Sequence, residues 1–131
     1  MSGVYLVVCH SCSYSQGFKF GIGARYARLE SAVCLVSPER QSHVNEIISH
    51  NQISETDFGY HAFHCPNCKS LYDDFWVRVK QDDHEIFETK VSCRKCGDQM
   101  QSVREPGDIN MFPCPHCYRT NLETIRIMPW D

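Results

Sequence analysis

Four Cys-x-x-Cys pairs constrain this chain more than anything else in it: Cys9/Cys12, Cys65/Cys68, Cys93/Cys96 and Cys114/Cys117. Two cysteines separated by two residues in a tight turn aim both sulfurs, and several backbone N–H groups, at one point. A second such turn brought opposite completes four sulfurs at about 2.3 Å from a zinc ion. A secreted disulfide framework rarely repeats one spacing four times, and nine cysteines leave one over, Cys34 in "SAVCLV". The pairs therefore read as metal ligands, and two Zn2+ ions in four-cysteine sites are predicted. Cys34, flanked by Val33 and Leu35, reads as a small buried hydrophobe.

Two pairings satisfy the spacing. A sequential scheme joins Cys9/Cys12 to Cys65/Cys68 and Cys93/Cys96 to Cys114/Cys117. A nested scheme uses the hairpin between Cys68 and Cys93 and must then join the two ends of the chain. The sequential scheme is the preferred expectation. It divides the 131 residues into an N-terminal zinc ribbon over 1–90, with a helical insertion at about 37–59, and a C-terminal ribbon over 91–131. So short a chain buries little apolar surface, so the metal is expected to carry much of the stability.

The pattern between the cysteines predicts a small, mostly β protein of α+β type, with cysteine knuckles, hairpins and one short helix. "VYLVV" and "GFKFGI" flank the first pair as strands, and "GARYARLESAVCLV" fits either a helix or a buried strand. Ser37, Pro38 and Glu39 form a helix start, and Val44, Ile47 and Ile48 recur at helical spacing, which predicts a helix over 38–49. Residues 49–59 read as a polar loop. "YHAFH" leads into the second pair as a strand. "FWVRVK" and "EIFETKV" flank the turn "QDDH" as a hairpin, "QSVR" and "INMF" are strands around "EPGD", and "LETIRIM" closes the chain.

Several function classes are disfavoured. Cys-Pro-His-Cys at 114–117 also suits a thiol–disulfide oxidoreductase. Thioredoxin-type catalysis, however, needs a long helix and a sheet after the first cysteine, and only 14 residues follow Cys117. Two complete thiolate sets leave no open position for a catalytic water. His10, His61, His64 and His116 are then solvent-facing or behind the ligands. No apolar run reaches membrane-spanning length, and the N-terminus lacks the features of a secretory signal, so a reducing cytoplasm is the expected location. Lys19, Arg25 and Arg28 among Phe18, Phe20 and Tyr26 can suit single-stranded nucleic acid. The preferred reading puts those aromatics in the core. The Gly21-x-Gly23 pair lacks the third glycine of a dinucleotide fingerprint. The formal charge of −3 argues against nucleic acid at the whole-molecule level, and metal-bound thiolates add to it. Trp76 and Trp130 are expected to pack on the ribbons.

Cys9-x-x-Cys12, Gly21-x-Gly23 and Tyr26, followed by "HCPNC", "SCRKCG" and "PCPHC", resemble the small double zinc-ribbon proteins of Firmicutes and their mobile elements, a group without an assigned activity. The resemblance implies paired rubredoxin-like ribbons and a cytoplasmic home. Family turns commonly read C-x-x-C-G. Only Gly97 matches; Ser13, Lys69 and Tyr118 depart, which implies looser turns. The resulting expectation is a non-catalytic zinc-binding module that presents a surface to a partner. A protein partner is favoured over nucleic acid, and the oxidoreductase is the third alternative.

Overall fold

The structure is a computed structural model that describes residues 2–22, 28–50 and 53–129. Strand β1 (Gly3–Cys9) alternates buried and half-buried residues along its whole length. This period of two gives one face to the core through Tyr5, Val7 and Cys9. It pairs antiparallel with β2 (Ser15–Phe20) on one side and with β7 (Leu122–Met128) on the other. The two ends of the chain thus build one three-stranded sheet, in the order β2-β1-β7.

The second sheet is inserted between β2 and β7. It contains β3 (Glu55–His64), β4 (Leu71–Gln81), β5 (His84–Glu88) and β6 (Gln101–Val103), in the order β5-β4-β3-β6. Phe75, Val77 and Val79 of β4 are buried with Leu29, Ala32, Val33, Val36 and Val44. Those partners come from a short turn of helix, α1 (Leu29–Ala32), a 3-10 turn (Val33–Leu35) and α2 (Pro38–His50). Trp76, one residue out of phase, instead joins Phe63, Val91 and Met100 beside Cys65 and Cys93. Between the sheets, Phe18, Phe20 and Leu122 pack with Ala62, Leu71, Val103 and Ile109. Phe18 and Phe20 thus fill the core as expected.

The sheets are locked at one backbone pair. Gly21 and Tyr60 exchange both N–H···O bonds, at 2.9 and 2.7 Å. Gly21 has a φ of 74°, and a Cβ there would lie 2.5 Å from the Ser2 hydroxyl. Ser2 in turn donates to the Ile22 carbonyl and accepts from the Ile22 N–H.

Helix α2 matches its prediction to within a residue: Pro38 opens it, and the Ser37 carbonyl accepts from the Arg40 and Gln41 N–H groups. Three expectations differ. Strand β3 starts at Glu55, inside the stretch read as a loop, because the long β4 pairs with it along all of residues 71–80. Its first turn is polar on both faces and is held by cross-strand ion pairs, Glu55 with Lys80 and Asp57 with Arg78. "INMF" is no strand; Pro106–Met111 is a 3-10 helix, opened by Pro106 and anchored by the fully buried Ile109. Cys34 is exposed, its thiol directed to the Ser31 carbonyl, since the 3-10 turn rotates it away while Val33 takes the core position. Gly23, Arg25, Tyr26 and Trp130 lie outside the described residues. Trp76 packs beside Cys65 and Cys93, and Arg28 is exposed.

Candidate metal centres

All eight predicted cysteines converge in two groups of four, Cys9/Cys12/Cys114/Cys117 and Cys65/Cys68/Cys93/Cys96. The nested scheme is therefore the one adopted, and the preferred sequential pairing is wrong. A boundary between residues 90 and 91 would separate Cys65/Cys68 from the pair that completes their set. The strands give the reason. The first turn joins β1 to β2, the last turn leads into β7, and β7 lies directly against β1. The second turn joins β3 to β4. The third sits in a small hairpin closed by Ser92 and Gln99, whose exit runs into β6 against β3.

Within each group, every sulfur lies within 4.8 Å of the others. Cys9–Cys117 and Cys12–Cys114 are 3.6 Å apart, Cys65–Cys96 3.5 Å and Cys68–Cys93 3.2 Å. A regular tetrahedron with zinc–sulfur bonds of about 2.3 Å has edges of about 3.8 Å. The spacing fits a metal shell and is far from the ~2.05 Å of a disulfide.

The turns repeat one backbone design. In each, the N–H of the first cysteine donates to the carbonyl five residues on: Cys9 to Tyr14, Cys65 to Ser70, Cys93 to Asp98 and Cys114 to Arg119. In three of them, the N–H after the closing cysteine returns to the first cysteine's carbonyl at 2.9 Å, from Lys69, Gly97 and Tyr118. Those three residues have φ of 67°, 80° and 63°. The turns of Lys69 and Tyr118 are as closed as that of Gly97, against the looser geometry expected from their sequences. Backbone N–H groups also point at sulfur, from Ser11 to Cys9, Tyr14 to Cys12, Lys95 to Cys93 and His116 to Cys114. Such donors stabilise the thiolate form.

The thiol electrostatics of each set are divided. Burial opposes ionisation of Cys9, but the Ser11 N–H and the Cys117 thiol outweigh it and bring it down to about 7. The Cys96 backbone N–H, with help from Cys68 and Lys95, lowers Cys93 to about 6. Their neighbours hold protons the harder. Cys12 is pushed up to about 12, because burial and the surrounding sulfurs overcome the Tyr14 N–H. Cys65 rises to about 11 against the pull of the Cys68 N–H. Four close thiols cannot all ionise without a cation among them, and a divalent metal removes that conflict.

Comparison with protein-family models, with curated proteins and with solved structures returned no match. What the centres can do must therefore be read from their own surroundings.

None of the described histidines belongs to either group. His10 is exposed and bonds Glu123 at 2.6 Å, and His116 tilts against Tyr14. His61 and His64 are buried, not solvent-facing. His61 stacks on Trp76 at 4.4 Å with Nδ1 against the Ser102 hydroxyl, and burial lowers it to about 4. His64 stacks on Phe112 at 4.1 Å, and neither ring nitrogen has a hydrogen-bond partner. Lys19 lies over the Tyr60 ring. Sequence reasoning passed over Tyr14 and Tyr72, which flank the turns. The available signal was an aromatic two residues after Cys12 and another four after Cys68.

Proposed function

We propose that this protein is a non-catalytic zinc-binding module in which two structural Zn2+ ions, each held by four cysteines, fix a surface for a macromolecular partner. The observation that carries the reading is the convergence of eight thiols into two closed tetrahedral sets. An S4 shell of this kind suits zinc or iron, and zinc brings no redox chemistry of its own. The metal would supply folding energy. Four thiolates complete the shell, leaving no position for a reactive water. Thiolates bound to a metal in this way are not free to cycle between dithiol and disulfide without loss of the metal.

The resemblance to double zinc-ribbon proteins supports the same reading, as does a cytoplasmic home that keeps the thiols reduced. Net charge pointed to a protein partner. Net charge describes the whole surface, however, and the convergence of the four turns on one local feature bears more directly on partner choice. Elemental analysis of protein purified under reducing conditions tests the proposal: two equivalents of zinc are expected. Well under two equivalents in a chain that stays folded in chelator overturns it, and iron in place of zinc would show as visible absorbance.

A further inference from the structure

The four cysteine turns meet at one cleft of about 170 Å3 between the two metal centres. Tyr14 follows the first turn, and Ser70 and Tyr72 follow the second. Lys95 lies within the third, and Pro115 and His116 within the fourth. No carboxylate lines it. The rings are held from behind. Tyr14 packs on the core between the sheets and its hydroxyl donates to Gln16 at 3.0 Å. Tyr72 packs on the Trp76 cluster, with the Arg94 guanidinium 4.6 Å from its ring. His116 stands 5.9 Å from Tyr14, centroid to centroid.

Lys95 is the one cation that lines the cleft, and further cations lie near it in sequence. Lys69, Arg94, Lys95 and Arg119 belong to the turns or directly follow them, whereas Asp98 is the single acid in those segments. Lys69 and Tyr118 also keep a left-handed backbone that glycine would adopt without strain, as Gly97 does in the third turn.

We propose that this cleft binds single-stranded nucleic acid. Bases stack on the Tyr14 and His116 rings, Lys95 contacts phosphate, and Arg94, held over the Tyr72 ring, adds a cation at the rim. The proposal rests on the zinc-module reading, because the cleft exists only while both centres hold their turns. Base stacking and a few phosphate contacts are sequence-tolerant and salt-sensitive, which suits a molecule whose overall charge is negative and whose cations are local. Stacking on these rings needs an unpaired base, which favours single strands over a duplex.

The test is fluorescence anisotropy of labelled oligo(dT), oligo(rU) and a hairpin duplex with the zinc-loaded full chain, over a salt series. Metal content and circular dichroism are measured on the same samples. Binding to the single strands is expected to exceed binding to the duplex, and the two single-strand arms decide between DNA and RNA. Replacing both cations (R94Q with K95Q) should weaken binding and flatten the salt slope by about one per lost phosphate contact. Tyr14→Leu should weaken it roughly five- to hundredfold. Lys80→Gln, near the far end of β4, should leave it unchanged. If Tyr14→Leu unfolds, the exposed Lys95 variant alone still decides the matter. A loaded, folded protein that binds no single strand at low salt overturns the cleft proposal and leaves the zinc module standing, with a protein as its partner. Binding that is indifferent to the Arg94, Lys95 and Tyr14 variants also overturns it. A chain that binds but holds no metal overturns the module reading instead.

Discussion

Lys69 and Tyr118 sit where a Cβ meets the following carbonyl, in a conformation that disfavours residues other than glycine by about 1–2 kcal/mol. The N–H bonds to Cys65 and Cys114 need that conformation, so the turn geometry imposes the strain. Tyr118→Gly should therefore raise the melting temperature of the loaded protein. The gain is expected to be below about 1 kcal/mol, because glycine also adds freedom to the unfolded chain. Gly21 is the opposite case. Gly21→Ala places a Cβ 2.5 Å from Ser2 Oγ at a φ of 74°, and chemical denaturation should show a loss of at least about 1 kcal/mol. His61 makes a prediction in pH. Its folded pKa of about 4 lies below the ordinary 6.5, so between those values the unfolded chain binds a proton that the folded one refuses. The stabilisation is complete above pH 6.5 and lost as pH falls towards 4. It is worth on the order of 2 kcal/mol after allowance for partial solvent screening. His61→Phe keeps a ring on Trp76 and should remove this share of the slope, read as the difference between the two stability–pH curves.

Among the elements, β1 and β7 decide which sulfurs meet. Their six paired positions carry the last turn to the first, across 102 to 108 residues of chain. Loop-closure entropy grows only with the logarithm of length, so the nested scheme costs about 1 kcal/mol more than the sequential one. That penalty is small beside the roughly 10–16 kcal/mol a structural zinc contributes in peptide models. Packing of the β1 face then determines the outcome. Cys114→Ser should release one zinc and strip hydrogen-exchange protection from β1 and β7 before β3 and β4. Cys96→Ser should do the reverse. Under the sequential pairing, Cys96→Ser would instead loosen the turn before β7, so exchange mapping separates the two.

At the scale of the molecule, each cysteine group is built into a core cluster, Cys9 and Cys114 with Phe18 and Leu122, Cys65 and Cys93 with Phe63 and Trp76. Metal loss is then a folding event. Chelator is expected to unfold the chain cooperatively, by loss of near-ultraviolet dichroism at the rate of zinc release. Acid should act the same way. Cys93 and Cys9, lowered to about 6 and 7 from an ordinary 9, keep their favourable charge above that range and lose it as pH falls through it. Acid competes with the metal for the thiolates, so zinc release followed with a colorimetric chelator should rise as pH falls. A release curve flat to pH 4 would contradict the thiolate assignment.

The four cysteine pairs that meet in two groups were legible from residue spacing alone, because a turn of two intervening residues is a local geometry. Helix α2 was legible for the same reason: Ser37, Pro38 and the Val44-Ile47-Ile48 period act within a few residues of one another. The strands beside Cys9/Cys12 and Cys65/Cys68 were equally local, whereas the strand expected before Cys114 is a 3-10 helix. The partner of each turn was not, since two schemes differing by about 1 kcal/mol in chain entropy leave the same short-range pattern. Only the register of β7 on β1, a contact between the chain's two ends, chose between them. The same contact brought four separated turns around Tyr14, Tyr72 and Lys95. Cys34 shows the limit from the other side: its apolar neighbours promised burial, and one 3-10 turn rotated it into solvent. Spacing determined which sulfurs pair within each turn, a local matter; long-range strand pairing determined which turns meet.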